Sequence, residues 1–245
     1  RVQLAQLGRM LNNRILEAHM RNGVTIVDPE NTWIDVTVTI ENDVTLLPGT
    51  QLHGSTTVAT GATIGPDTTL TDMTVEADAT VIRAHGHGAV IGEGATVGPF
   101  AYLRPGTTLG KDAKLGTFCE AKNSQIGDGA KVPHLSYVGD ATIGEGANIG
   151  AGSIFANYNG LVKNRSVIGA HARMGSAGIY VAPVTVGDGA YSGAGALIRK
   201  DVPAGALAYS ETSQRTIEGW VLKNRAGTEP AEAAKAAGAQ EPAES

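Results

Sequence analysis

Apolar positions along the chain follow two successive rhythms. Leu4, Leu7, Leu11, Ile15 and Ala18 recur at spacings of three and four, which places them on one face of a helix. Asn22-Gly23 supplies a stop for it. Such a helix either packs on its own domain or connects two domains, and composition does not separate these readings. From Ile34 a period of six takes over: Ile34, Ile40, Leu46, Leu52, Val58, Ile64 and Leu70 stand in phase. The phase slips after Leu70 and around His85–Gly88, then resumes at Ile91, Val97, Leu103, Leu109 and Leu115 and again at Ile143 and Ile149. A last run reads Ile168, Met174, Tyr180, Val186, Ser192 and Ile198, aliphatic except at two places.

Ala precedes many of these positions by two, as at Ala62, Ala79, Ala95, Ala141 and Ala147, and Gly often follows, as in Ile64-Gly65 and Ile149-Gly150. Each six-residue unit therefore offers one large inward plug, one small inward residue and a turn. That is the hexapeptide pattern of a parallel β-helix, in which three units close one triangular coil and coils stack at roughly 4.8 Å. About nine coils fit between Ile34 and Lys200 if the slips are loops. Such coils are stabilised mainly by their neighbours. The fold class expected is all-β, with a short N-terminal α-helix.

The repeat breaks most visibly at Phe155–Ser166, FANYNGLVKNRS, which is polar and basic and shows no plug in the sequence. A loop leaving a regular prism is where binding residues concentrate. The expected division is a connector helix over 1–23, a β-helix over 24–210, a segment capping the last coil over 211–225, and an Ala/Glu/Pro-rich disordered tail over 226–245.

Composition narrows the functional classes. The 245 residues include 33 Gly, few aromatics and no apolar run long enough to span a membrane. The net charge is -5, of which the tail carries -3 through Glu229, Glu232, Glu241 and Glu244 against Lys235. The nearly neutral body gives no electrostatic reason to expect a nucleic-acid partner. Cys119 is the one cysteine, so no intrachain disulfide forms and a reducing cytoplasm is the expected compartment. No signal peptide precedes the helix, and the chain begins at Arg1, as a fragment would.

Candidate chemistry gathers in Lys131–Ala141, KVPHLSYVGDA, where His134 and Tyr137 sit close together on an irregular repeat. Histidine is the side chain most easily poised as a base near neutral pH, although a β-helix histidine is more often structural. His85 and His87 within AHGHGA suggest a metal only weakly, because no third ligand lies nearby. Arg104, Lys122 and Lys163 are separated by stretches comparable to a coil, so stacking brings at least the first two together, either as a phosphate site or as solvated surface charge. Cys119 is a small buried hydrophobe or, as a rival mechanism, a nucleophile.

The segments GPFAYLRPGTTLG, VPHLSYVGDATIGEGANIGAG, FANYNG and YVAPVTVGDGA, in this order, resemble the C-terminal domain of the bacterial bifunctional N-acetylglucosamine-1-phosphate uridyltransferase and glucosamine-1-phosphate N-acetyltransferase. The similarity runs from Arg1 to about Arg225. It implies a left-handed β-helix, acetyl-coenzyme A as cosubstrate and glucosamine-1-phosphate as acceptor. It further implies His134 as the proton acceptor, and Arg104, Lys122, Tyr137, Asn148 and Lys163 as ligands of the amino-sugar phosphate. Ala151, Asn157, Tyr158, Ser176 and Ala194 match positions that contact the coenzyme. A coenzyme-contacting Arg of the family is replaced by Glu211, for which Arg215 or Lys223 is a substitute. The resemblance also implies a homotrimer with sites between subunits. Mg2+ belongs only to the uridyltransferase domain, whose motifs this sequence does not contain. Another hexapeptide acyltransferase and a non-catalytic β-helical scaffold are the competing readings.

Overall fold

The computed structural model describes residues 1–211 and 215–240 and divides into two compact units, 1–210 and 211–245. The first is a parallel β-solenoid of about ten turns. Among the described residues its strands form three sheets of eleven, ten and nine members, each strand pairing in parallel with those one coil before and after it. Face one runs from Thr25–Ile26 to Leu207–Ala208, face two from Trp33–Ile34 to Leu197–Ile198, and face three from Thr39–Ile40 to Val184–Val186. Strands of two to four residues suffice because each contributes one inward plug, and plugs stack in register: Leu46 on Ile64, Ile64 on Val81, Val81 on Val97. Val44, Ala62, Ala79 and Ala95 fill the narrower space beside them and are buried with them in one continuous core.

The phase slips are shortened coils and not loops. Five residues instead of six separate Leu70 from Val75, Val81 from Gly86, Gly86 from Ile91, Ala121 from Ile126 and Val138 from Ile143, yet every one of these residues remains in its plug column. A single left-handed residue closes each short step: Asp72, Arg83, Gly88, Asn123 and Asp140 all have positive φ. Gly86 leaves its plug position empty of side chain, and Met73 fills the space; a methyl on Gly86 would sit 2.9 Å from the Met73 Cε. The coils run from Thr25 to Ala208, beyond the clear six-residue run of Ile34 to Ile198 at both ends and within the span expected for the β-helix.

Helix α1 spans Val2–Arg21. Its stripe is rotated from the expected one: Leu4, Leu7 and Leu11 are exposed, while Asn12 and Leu16 are buried. The reason is polar. Asn12 Nδ2 donates to the Thr32 carbonyl at 2.8 Å and Asn12 Oδ1 accepts from the Ile34 amide at 3.1 Å, so the helix docks by satisfying the open edge of a first-coil strand. Arg9 stacks its guanidinium over Trp33 at 4.3 Å from the ring centroid.

The second unit contains α2, Trp220–Asn224, and α3, Glu229–Ala236. Helix α3 lies where the composition led us to expect a disordered tail. Pro230 in the first turn, Glu229 and Glu232 at the positive end, Lys235 in the last turn and four alanines all favour it, and Ala231 is buried. The end of the expected tail, 241–245, lies outside the described residues. No described helix is long and apolar enough to cross a membrane.

Candidate active site

The corner between faces one and two is a stacked backbone column. The amides of Leu135, Gly152, Ala177 and Gly195 donate to the carbonyls of Thr117, His134, Ala151 and Ser176, one coil before, at 2.9, 3.2, 2.7 and 2.8 Å. His134, Ala151, Ser176 and Ala194 thereby occupy equivalent places on successive coils. Glycines make this stacking possible: a methyl on Gly150 would lie 2.6 Å from the Gly175 carbonyl oxygen, and one on Gly175 would lie 2.5 Å from a Gly193 backbone carbon. Phe118, Leu135 and Ala177 hold φ values of 55°, 52° and 56° in the left-handed region, which costs these side-chain-bearing residues about 1–3 kcal/mol each. That turn leaves both His134 and Leu135 exposed at the corner, and no hydrogen bond among the described residues restrains the His134 imidazole.

Face two carries the cations. Tyr102, Glu120, Tyr137 and Ile154 form one outward column, and Lys122 stands level with Gly139 two residues further along. Arg104 projects from the coil below Lys122, its amide bonded to the Ala121 carbonyl, and its guanidinium donates to Glu120 at 2.8 Å. The ring of Tyr137 lies across Gly139, where a methyl would come within 2.6 Å of Cζ. Phe100 and Phe118 stack beside this column, ring centroids 5.2 Å apart and planes 8° from parallel. With Leu135, Tyr102, Tyr137 and Ile154 they line an open groove of about 400 Å³, and Phe100, Phe118 and Leu135 are each more than half exposed.

The corner between faces two and three closes the site with a carboxylate that sequence reasoning missed. Asp140 is buried, 7% exposed. Its Oδ1 accepts from Asn123 Nδ2 at 2.6 Å, its Oδ2 from Asn157 Nδ2 at 2.5 Å, and Lys122 Nζ lies 3.8 Å from Oδ2. Burial works against its ionisation, but the amides of Asn123 and Asn157 and the charges of Lys122 and Lys163 outweigh it and hold the carboxyl below its ordinary value. Asn157 Nδ2 also reaches the Tyr137 hydroxyl at 3.4 Å. Lys163 binds its proton less tightly than an ordinary lysine because the Lys122 ammonium lies against it, an effect opposed by Asp140 and Tyr137. In the sequence Asp140 is marked only by its place within a five-residue step, two residues after the plug Val138.

The irregular segment is narrower than the sequence indicates. Phe155 is itself a fully buried plug, paired with Tyr180, and Ser166 already begins the next strand. Residues 157–165 form a tight excursion in which Tyr158 and Lys163 bridge antiparallel and Asn159 Oδ1 accepts from the amides of Leu161 and Val162. Arg165 ties its end to the carbonyls of Ala141 and Asn123 at 2.9 and 3.1 Å.

The structure therefore gathers Arg104, Lys122, Tyr137, Asn157 and Lys163 on face two and its far corner, and His134, Ala151, Ser176 and Ala194 on its near corner. Asn148 stands apart on face one, level with Lys131 and Arg173 in a separate polar cleft. Glu211, Arg215 and Lys223 belong to the second unit and are exposed. Cys119 is buried; desolvation pushes its thiol pKa up, and Sγ donates to the Val132 carbonyl at 3.3 Å. That setting disfavours the thiolate a nucleophile requires.

Residues 88–120 match the bacterial transferase hexapeptide (six repeats) family. Over 237 residues, 97% of this chain, the sequence is 63% identical to "Bifunctional protein GlmU" of Kineococcus radiotolerans and 64% identical to that of Pseudarthrobacter chlorophenolicus. Against the protein of the same name from Micrococcus luteus it is 61% identical over 98% of the chain. In each case the chain spans 48% of the relative, about half its length.

Proposed function

Because nearly the whole chain is homologous to the C-terminal part of the bifunctional GlmU proteins, we propose that it transfers the acetyl group of acetyl-coenzyme A to the amino group of glucosamine-1-phosphate, within UDP-N-acetylglucosamine synthesis. The observation that carries the reading is a single face bounded at one corner by the exposed His134 and carrying Arg104, Lys122 and Lys163 on its surface and far corner. In this reading Arg104, Lys122 and Lys163 hold the phosphate and Tyr137 orients the sugar. The corner column of Ala151, Ser176 and Ala194 supports the coenzyme, with Asn157 and Tyr158 beside it. The amine lone pair attacks the thioester carbonyl, the C–S bond breaks to release coenzyme A, and neutral His134 Nδ1 or Nε2 accepts the proton lost by nitrogen. No acetyl-enzyme forms, in keeping with the buried thiol of Cys119.

The proposed assembly is a homotrimer. The exposed Phe100–Phe118 stack supports it, as apolar surface that another copy would cover. The separation of Asn148 from the other sugar-phosphate residues is explained if it serves the site of a neighbouring copy.

A thiol-release assay with acetyl-coenzyme A and glucosamine-1-phosphate tests the reading. Turnover should appear with the wild-type protein and fall by about 10²- to 10⁴-fold in His134→Ala, the usual weight of a general base. Absence of turnover in the wild type refutes the substrate assignment, and near-normal turnover in His134→Ala refutes the base.

A further inference from the structure

We propose that Asp140 is a positioning residue that keeps Lys122 and Lys163 arranged to receive the sugar phosphate and holds the Asn157 amide in place for the coenzyme. The inference rests on the acetyl-transfer reading above. Nothing in the motif comparison pointed to Asp140; its geometry does. It is the one acidic side chain among the described residues that sits against both lysines, and it is buried where they are partly open.

Two ammonium groups pressed together repel each other, which lowers the proton affinity of Lys163. A buried carboxylate on the same corner lets both stay charged beforehand. Asp140 accepts through both oxygens, from Asn123 and Asn157, so its orientation is set from two coils. An ionised carboxylate is acceptor-only, which fixes the amide of Asn157: Nδ2 turns inward to Asp140 and Tyr137, and Oδ1 is left for a ligand donor. One carboxylate thus positions groups assigned to both substrates. The charged groups facing it are Lys122 from face two and Lys163 from the excursion; Tyr137 connects to it through Asn157 Nδ2, and Arg165 binds the carbonyl of the adjacent Ala141.

The sign of the pH effect follows. Asp140 raises the proton affinity of Lys163, so its removal makes Lys163 lose its proton at lower pH. Phosphate affinity should then decline at lower pH in Asp140→Asn than in wild type. A lysine-to-arginine change at 163 should abolish that displacement, since a guanidinium does not deprotonate in the accessible range.

The test measures glucosamine-1-phosphate binding by calorimetry without acetyl-coenzyme A, alongside turnover. Asp140→Asn should weaken binding by about ten- to hundredfold, the effect of disrupting hydrogen bonds to a charged group, with kcat changed far less. Its pH profile should move to lower pH, and should not move in the Lys163→Arg background. Asn123→Ala, which frees one carboxylate oxygen, should weaken binding in the same direction by a smaller factor and serves if Asp140→Asn does not fold. Wild-type affinity and pH profile in the folded variants overturn the proposal, as does a loss confined to the yield of folded protein. Wild-type binding without turnover refutes acetyl transfer alone and leaves Asp140 still judged by affinity; absence of wild-type binding refutes both.

Discussion

Replacing Gly139 with alanine should damage the site while leaving the solenoid intact. Gly139 does not have positive φ, so its backbone accepts an L side chain. The atoms nearest the added methyl belong to side chains: it overlaps the Tyr137 hydroxyl and lies 2.6 Å from Tyr137 Cζ and 2.7 Å from Asn157 Nδ2. Carbon atoms in contact rest about 3.5 Å apart, so the ring must retreat by about 1 Å. A side-chain end moves that far cheaply, and the melting temperature should change by no more than about 2 °C. Misplacement of about 1 Å in a positioned group costs up to roughly a hundredfold in rate, so kcat/KM for glucosamine-1-phosphate should fall about ten- to hundredfold. Steady-state kinetics and a thermal melt measure both quantities. In a Tyr137→Ala background only the Asn157 amide remains to displace, and Gly139→Ala should cost less than it does alone. Wild-type kinetics in Gly139→Ala, or full additivity with Tyr137→Ala, would refute the reasoning.

The neighbouring Gly116 gives the opposite outcome, because a methyl there overlaps the Pro133 carbonyl and lies 2.6 Å from its carbon. Backbone cannot yield as a side chain does, so Gly116→Ala should lose about 1–3 kcal/mol and melt several degrees lower in calorimetry. Cys119→Ala should retain acetyl transfer, and the native thiol, its pKa raised by burial, should react slowly with iodoacetamide at pH 7.5; fast alkylation with parallel inactivation would restore the nucleophile. Asp35, held low chiefly by the Gly54 amide, Asp72, held low by the Ser55 amide, and Asp140 all have depressed folded values. Their stabilisation is complete above the unfolded carboxylate value of about 4 and is lost as pH falls through the folded values, so denaturant midpoints should be flat from neutrality to about pH 5 and drop below about pH 4.

The solenoid was legible because its plugs recur at a fixed interval and each lies in a column of like residues. Its shortened coils were not. A five-residue step looks in the sequence like an insertion elsewhere, and only the stacking of Ala121 between Leu103 and Val138 shows that a residue is missing. The helix stripe was misplaced because the residue that anchors α1 is polar: Asn12 carries the docking bonds, and a hydrophobicity pattern passes over it. Helix α3 was overlooked because alanine and glutamate suit both disorder and helices. In the site, His134 and the cations were legible as candidates through the motif. Asp140 was not, since its partners Asn123 and Asn157 lie a coil away on either side and come together only when the coils stack.

The three edges of the prism do not share the same freedom. From face three to face one, successive plugs are six residues apart in every coil, as in Ile91 to Val97 and Ile168 to Met174. From face two to face three the interval is five at Val138 to Ile143, six at Leu103 to Leu109 and thirteen at Phe155 to Ile168, and the ladder resumes in register each time. From face one to face two the interval also departs from six, at Val81 to Gly86, so sequence length is decoupled from the height of the core most widely at the edge between faces two and three. Insertions there change what the surface presents without disturbing the pairing of any strand, which makes that edge the natural graft point for altering acceptor preference in this scaffold.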